Sequence, residues 1–279
     1  MNKKEFDEFF KPYAKNVDSA NNHAFWELSD ALITQIIKDN ISVDTNEESV
    51  ILDAGGGTGR WACDLSRIYK SKFIVYDLSS DMLEKAKENI KNAGLEERVR
   101  LIEGDLKNME KIESDSVDHI ISVYSPISFI YEKERAFAEM HRVLKKGGKI
   151  IIMGHGFCNA IFSKINNFCA GASELEALDK EKMVKWGEHV PKLNVFSKEI
   201  LENELKQAGF IPDKTYGVPV FVQPGAEDFD PENSKRSRIS DALKKKEFFN
   251  EVFELEMKYN SLPTIANRGM NMFAVAIKN

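Results

Sequence analysis

Asp53 opens the run Asp53-Ala54-Gly55-Gly56-Gly57-Thr58-Gly59, in which four of the five positions from 55 to 59 are glycine. A stretch of bare backbone can bring its amides against a bulky or charged ligand, because no side chain stands in the way. Two further aspartates, Asp77 and Asp105, each close an apolar run. Carboxylates of this kind accept hydrogen bonds from hydroxyls and amines and attract cations. A phosphate, a dinucleotide and a sulfonium nucleoside are the ligands such a set could hold. A Walker A loop needs Lys followed by Ser or Thr after its last glycine, and here Arg60-Trp61 follows. A dinucleotide fingerprint, G-x-G-x-x-G, would start at Gly55 and Gly57 but meet Arg60 at its third position, where a side chain obstructs the helix–strand approach.

The elements that must carry these residues can be read from periodicity. Phe25, Trp26, Leu28, Leu32 and Ile36 recur at mostly three- or four-residue spacing, which predicts an amphipathic helix ending near Asn40. An alternation follows: strand 49–53, helix 60–69, strand 72–76, helix 80–92 capped by Ser79 or Ser80, strand 99–102, strand 117–123, helix 132–144 and strand 149–153. Gly147-Gly148 reads as the stop signal of the helix at 132–144. Beyond Met153 the rhythm breaks, and residues 155–195 offer no strand with a clear pattern. Ser197 to Ala208 reads as a helix ended by Gly209, and 210–216 and 272–278 read as strands. Strands alternating with helices imply a largely parallel sheet covered on both faces. The expected organisation is a single domain over 1–279, with a helical cover at 1–48, a ligand-binding core at 49–154, and cover insertions at 155–195 and 219–262.

The bulk composition narrows the function classes. A net charge of -6 and a pI near 5.6 argue against a sequence-independent grip on nucleic acid. The basic residues Lys235, Arg236 and Arg238, with Lys244 to Lys246, read as a solvated helix face. Cys63, Cys158 and Cys169 fit neither a zinc site nor a disulfide framework, so no metal is expected. The start, MNKKEFDEFF, has no apolar core of a secretory signal, and no apolar run approaches a membrane span. The reading is a cytoplasmic protein without a membrane partner.

In order along the chain, LDAGGGTG, FIVYDLS, LIEGDL, VDHIISVYSPISFI and HRVLKKGGKIIIM resemble the successive motifs of the class I, seven-stranded, Rossmann-like S-adenosylmethionine-dependent methyltransferases. The resemblance covers roughly Val50 to Gly154. It implies an α/β three-layer fold with a mostly parallel seven-stranded sheet, S-adenosyl-L-methionine as cofactor and S-adenosyl-L-homocysteine as product. It further implies that Asp53, Gly55, Gly57, Thr58 and Gly59 surround the methionine half and that Asp77 takes the ribose hydroxyls. Gly104 and Asp105 would meet the adenine amine, Leu78, Met82 and Leu106 would sandwich the purine, and Ser122 would stand at the end of the fourth strand. Strand ends at a switch point are also where an open α/β sheet binds its ligands. Plain structural roles remain open beside these: Asp77 and Asp105 as helix caps, Asp53 as a tie for the turn, Met82 and Leu106 as core.

The family fixes the donor and leaves the acceptor open. Ser122-Val123-Tyr124-Ser125-Pro126 departs from the Asn/Asp-Pro-Pro-Tyr of amide and adenine methylation, and no Pro-Cys pair of the cytosine enzymes occurs. A small-molecule acceptor with an N, O or C nucleophile is the reading that remains. The chain's extra length falls where small-molecule members carry covers, and Tyr13, His23 and Trp26 are the lid candidates. Aromatic faces suit a cationic donor, though Trp26 also suits simple packing of its helix. His155 is the candidate base, just past the fifth strand, and Tyr124 could orient the acceptor. Three alternatives stay open: aminopropyl transfer or another use of a sulfonium nucleoside on the same fold, a non-catalytic subunit that binds S-adenosylmethionine to regulate a partner, and a methyltransferase of a protein or RNA.

Overall fold

The computed structural model describes residues 8–12, 23–42, 47–229 and 235–279. A helical turn at 8–12 precedes α1 (Ala24–Asn40), after which strands and helices alternate as β1 (Val50–Ala54), α2 (Arg60–Leu65), β2 (Lys72–Asp77), α3 (Ser80–Ala93) and β3 (Val99–Glu103). Then come β4 (Val117–Ser122), a 3₁₀ turn at Pro126–Phe129, α4 (Lys133–Val143) and β5 (Leu144–Gly156). The remainder comprises α5 (Phe157–Asn166), α6 (Ala172–Glu181), β6 (Met183–Val184), β7 (Leu193–Phe196), α7 (Lys198–Gln207) and β8 (Phe210–Val218). A 3₁₀ turn at Ala226–Phe229, α8 (Arg238–Leu243), α9 (Lys246–Tyr259), α10 (Pro263–Ala266) and β9 (Asn271–Lys278) complete it.

The seven long strands lie in the order β3-β2-β1-β4-β5-β9-β8, parallel except for β9, which runs antiparallel to both neighbours. The largely parallel sheet is the one expected from the alternation, and its seven strands are those that the resemblance to the Rossmann-like methyltransferases implies. Its two faces sort the strand residues by parity. Ile151, Met153, Phe273 and Val275 join α1, α2 and α3 in one cluster, while Ile150, Ile152, Met272 and Ala274 join α4 and α7 in the other. Burial on both faces is why these strands read as unbroken apolar runs.

Helix α1 sinks Phe25, Leu28, Leu32, Ile33, Ile36 and Ile37 completely into the first cluster. At roughly 2 kcal/mol per fully buried large aliphatic or aromatic side chain, an upper figure, the helix is fastened as part of the core.

The elements depart from the sequence reading at three places. The helix expected to 144 ends at Val143, and Gly147-Gly148 does not stop it. The chain enters β5 at Leu144 at once, and Gly147, at φ 78°, lies inside that strand where its pairing with β4 is irregular. Residues 155–195 do contain strands. β7 pairs in parallel with His155 and Gly156, on the edge of β5 that β4 leaves free after Ser122, and β6 pairs with β7. So short a pairing leaves almost no periodic trace. This segment also builds a small apolar cluster of Ala160, Leu178, Val184, Leu193 and Val195. Helix α2 is shorter than expected and closes at Leu65. Among the described residues, no helix is long and apolar enough to cross a membrane.

Candidate active site

A cavity of about 590 Å³ opens at the carboxyl ends of β1 to β4. Its floor is the glycine loop. Gly55 turns at φ 76° and donates its amide to the Tyr76 carbonyl at 2.8 Å, so the loop is tied to the end of β2. A Cβ on Gly55 would lie 2.5 Å from Pro126, which makes glycine obligatory there. Gly57, at φ 53°, faces open space: a Cβ there meets nothing nearer than the Met82 sulfur at 4.0 Å. At Gly57, and not at Gly55, the bare backbone faces open space into which a ligand can come.

Asp77 stands beside this loop with both oxygens already engaged. Oδ2 accepts from the Gly57 amide and Oδ1 from the Ser79 amide, each at 2.9 Å. Burial raises its pKa, and the amides of Ser79, Gly57 and Leu78 work against that rise. Asp53 is more exceptional. It is 2% exposed, and its Oδ2 has no hydrogen-bond partner. Burial, with the Asp77 charge adding to it and Arg60 opposing, pushes its pKa up to about 7. Two buried carboxylates at one end of a cavity favour a cationic guest.

Asp105 accepts from the Lys107 amide at 2.9 Å, and Lys107 also pairs with Glu132 at 2.8 Å. Leu78, Met82 and Leu106 line the adjoining wall. Past β4 the backbone takes left-handed conformations at two consecutive non-glycine residues, Tyr124 (φ 60°) and Ser125 (φ 67°). Such geometry is costly for these residues and concentrates at functional sites. Here the Tyr124 ring lies in the wall and its hydroxyl donates to Asp30 of α1, while burial and that carboxylate raise its pKa.

The outer half of the cavity is aromatic and apolar. Trp26, Phe129, Ile130 and Tyr131 form it, together with Phe10, which packs on Phe129 with centroids 5.1 Å apart. Trp26 serves both roles considered for it. It lines the cavity, packs edge-on against Tyr124 and Phe229, and donates its indole N–H to the Asp228 carbonyl at 2.6 Å.

The structure brings Asp53, Gly55, Gly57, Thr58, Asp77, Leu78, Met82, Asp105, Leu106, Tyr124 and Trp26 to one cavity. Other expected residues shape its frame. Gly59 caps α2 at φ 68°. Gly104 leaves room for Tyr76, whose hydroxyl would lie 1.9 Å from a Cβ at that position. The Ser122 hydroxyl donates to the Ala54 carbonyl at 2.8 Å and locks β4 to β1. His155 does not line the cavity. Its amide donates to Ser128 Oγ, its side chain is hydrogen-bonded to Asn271, and burial lowers its pKa to about 4. His23 is buried with Nδ1 3.5 Å from Asp228 Oδ1. Tyr13 lies outside the described residues. Sequence reasoning missed Arg60, Trp61, Lys107 and the 126–132 wall, all of which line the cavity. Arg60 had been weighed only as an obstacle to a dinucleotide, although its place one residue after the glycine loop is itself a signal.

The sequence pattern of the methyltransferase domain matches residues 51–148. Those residues, about a third of the chain, are similar to a methyltransferase domain. The family uses S-adenosylmethionine, and the site fits that donor. The partnerless Asp53 oxygen suits a cation, Asp77 has lone pairs left for ribose hydroxyls, and the Cα of Gly57 leaves open space for a ligand against the loop. The ubiquinone/menaquinone biosynthesis C-methyltransferase UbiE of Haemophilus ducreyi is 25% identical over 118 residues, 42% of this chain and 44% of that one. The chain thus matches less than half the length of this relative. Among solved structures, a complex between the Haloferax volcanii Trm112 methyltransferase activator and a methyltransferase aligns with a TM-score of 0.61 at 15% identity, covering 96% of each chain. Geranyl diphosphate C-methyltransferase from Streptomyces coelicolor, in complex with Mg²⁺, geranyl diphosphate and S-adenosyl-L-homocysteine, aligns with a TM-score of 0.57 at 12% identity, covering 90% of this chain and 79% of that one. Both likenesses concern the fold.

Proposed function

We propose that this methyltransferase domain transfers the methyl group of S-adenosylmethionine to a small, largely apolar acceptor. The observation that carries the reading is the continuity of one 590 Å³ cavity, within the usual range of small-molecule sites, from the acidic glycine-loop end to the aromatic outer wall. The donor supplies an electrophilic methyl on a positively charged sulfur. The acceptor's lone pair forms the new bond to that carbon, the carbon–sulfur bond breaks, and its electron pair stays on the sulfur, which becomes neutral. An acceptor N–H, O–H or C–H gives up its proton to solvent or buffer.

The residues act mainly by positioning. Asp77 and the Gly57 backbone fix the nucleoside, while Leu78, Met82 and Leu106 grip the base. The aromatic wall of Trp26, Tyr124, Phe129 and Tyr131 excludes water and holds the acceptor on the methyl side. Tyr124 acts here through its ring, since its hydroxyl is committed to Asp30. No proton is routed through His155, which stands outside the cavity wall. The small-molecule acceptor is further supported by the name of the Haemophilus ducreyi relative, a C-methyltransferase of quinone biosynthesis.

The test is incubation of the full chain with deuteriomethyl-labelled S-adenosylmethionine and separated metabolite, protein and RNA fractions, read by mass spectrometry. Label on a metabolite is the expected result. Label confined to protein or RNA would move the acceptor to a macromolecule. Donor binding without transfer to any fraction would leave a regulatory subunit in place of an enzyme.

A further inference from the structure

Helix α9 is apolar on two sides. Its inner side, with Phe249, Phe253 and Met257, packs on the first core cluster, and Glu256 is fully buried there. A helix with one buried face normally turns polar residues to the other. Here the outer side holds Phe248 and Leu255, each 41% exposed, and the half-buried Tyr259. The turn that follows extends the row to Leu262, also 41% exposed, whose amide donates to the Tyr259 carbonyl at 3.1 Å. Phe221, 46% exposed, adds its ring 5.9 Å from that of Tyr259. With Val252, positions 248, 252, 255, 259 and 262 alternate steps of four and three residues, the spacing of a seam that packs on another helix.

The charges beside this seam are symmetric about its centre. Glu251 and Lys258 are exposed, and neither has an ion-pair partner among the described residues. Lys258 lies only over the ring of its neighbour Tyr259, at 5.2 Å. Each stands about 5 Å along the helix axis from the midpoint between Glu254 and Leu255, one toward either end. Within one copy they are two turns apart and do not meet. A two-fold axis through that midpoint, perpendicular to the helix, sets Glu251 of one copy opposite Lys258 of the other, twice. The same operation brings the two Leu255 side chains together and moves Phe248 of one copy toward Leu262 of the other. A partner of one charge sign would satisfy only one of the two groups, whereas a second copy satisfies both. Such self-complementarity is what an isologous contact requires.

We infer that α9 is a self-association surface, on which a second copy of this chain packs antiparallel through Phe248, Leu255, Tyr259 and Leu262, with two reciprocal Glu251–Lys258 pairs fixing the register. The apolar patch amounts to roughly a few hundred Å² per copy. A standard stable interface takes about 800 Å² per partner, so the pair is a reversible dimer with a dissociation constant of about 10–100 µM. No residue of α9 is among the described lining of the cavity, so pairing leaves the site open to its ligands.

Sedimentation velocity of the full chain from about 1 to about 300 µM tests this. The wild type should pass from one chain to two within that range. Leu255→Arg sets two cations together on the axis and should weaken the pair by about 100-fold or more, with an unchanged near-ultraviolet circular dichroism spectrum. Glu251→Lys and Lys258→Glu each place like charges opposite one another twice, and each alone should weaken the pair by about fivefold or more. An equimolar mixture of those two variants should pair at least as well as the wild type, because both contacts then join Lys to Glu. A wild type that stays single at every concentration would give the face to a different partner and overturn the inference. A dimer that persists in Leu255→Arg would place the contact elsewhere and overturn it as well. A mixture that pairs no better than its separate components would overturn the antiparallel register.

Discussion

Asp77 accepts the Gly57 amide on one carboxylate oxygen and thereby ties the tip of the glycine loop to the end of the second strand. The other oxygen takes the Ser79 amide at the entrance of α3. Asp77 therefore orients the floor of the cavity and the start of the next helix while keeping lone pairs for a ligand.

Asp77→Ala should consequently fail twice. It removes the ribose acceptor and leaves two backbone donors without their carboxylate, so affinity for S-adenosylhomocysteine should fall by about 100-fold or more. Asp77→Asn, which keeps one carbonyl oxygen, should lose less. Calorimetry measures both, and an unchanged affinity in Asp77→Ala would remove this residue from the donor site.

Asp53 predicts a pH dependence whose sign runs against the usual carboxylate. The folded protein holds the Asp53 proton up to about pH 7, whereas the unfolded chain releases it near its ordinary value of 3.8. Between those values the native state binds more protons, so unliganded stability should fall as pH rises from about 4 to about 7 and then level. Asp53→Asn should flatten that slope and make the unliganded protein more stable at pH 8, by roughly 2 kcal/mol in urea denaturation. A bound ammonium favours the ionised carboxylate. Donor binding near pH 6.5 should therefore release protons, seen as a binding enthalpy that depends on the buffer, and affinity should rise with pH up to about 7.

The two ends of the glycine loop separate stability from binding. Gly55→Ala puts a methyl group 2.5 Å from Pro126 at φ 76° and should destabilise the fold by about 2–4 kcal/mol. Gly57→Asn should cost less stability, since space is open there and asparagine tolerates φ 53°, yet abolish most donor binding because the side chain enters the cavity. Thermal unfolding paired with calorimetry distinguishes the two. Equal behaviour of both variants would contradict the assignment of Gly57 to the ligand side.

Glu256 supplies a purely structural test. It is fully buried and accepts the amides of Val220, Phe221 and Val222 at 2.7, 2.8 and 3.0 Å. Its pKa is raised by burial, against the pull of those three amides. Glu256→Ala strands the three donors and should cost about 3 kcal/mol in denaturant titration. Donor affinity, measured at low temperature where the variant is folded, should stay within twofold of the wild type.

The fold and the donor end were legible because their residue types answer to backbone constraints. Only glycine fits Gly55 against Pro126, and the carboxylates at strand ends meet loop amides that every such turn exposes. Arg60 was not legible as a residue of the cavity wall. Its placement follows from a contact with Asp30, thirty residues away in sequence, and from two rings that no periodicity connects. The wall drawn from 126–132 was hidden for a similar reason. The sequence reading ends its strand at 123 and gives the residues up to 131 no element, whereas the left-handed pair Tyr124-Ser125 turns the chain across the cavity mouth. Conversely, no residue of 155–195 or 219–262 is among the described lining of the cavity. The second of these segments acts at one remove, by fastening Trp26 through Asp228.

That fastening has a consequence for how the molecule comes together. The Trp26 indole reaches residue 228, and the Phe25 amide reaches Ser240, across 202 and 215 positions of chain. Links of such span are the slowest to search for, whereas the strands that frame the glycine loop lie within about a hundred residues of one another. During synthesis the residues of the nucleoside cradle leave the ribosome before Asp228 and Ser240, which lock the tryptophan wall. The enclosure of the cavity is therefore the last part of the site to mature.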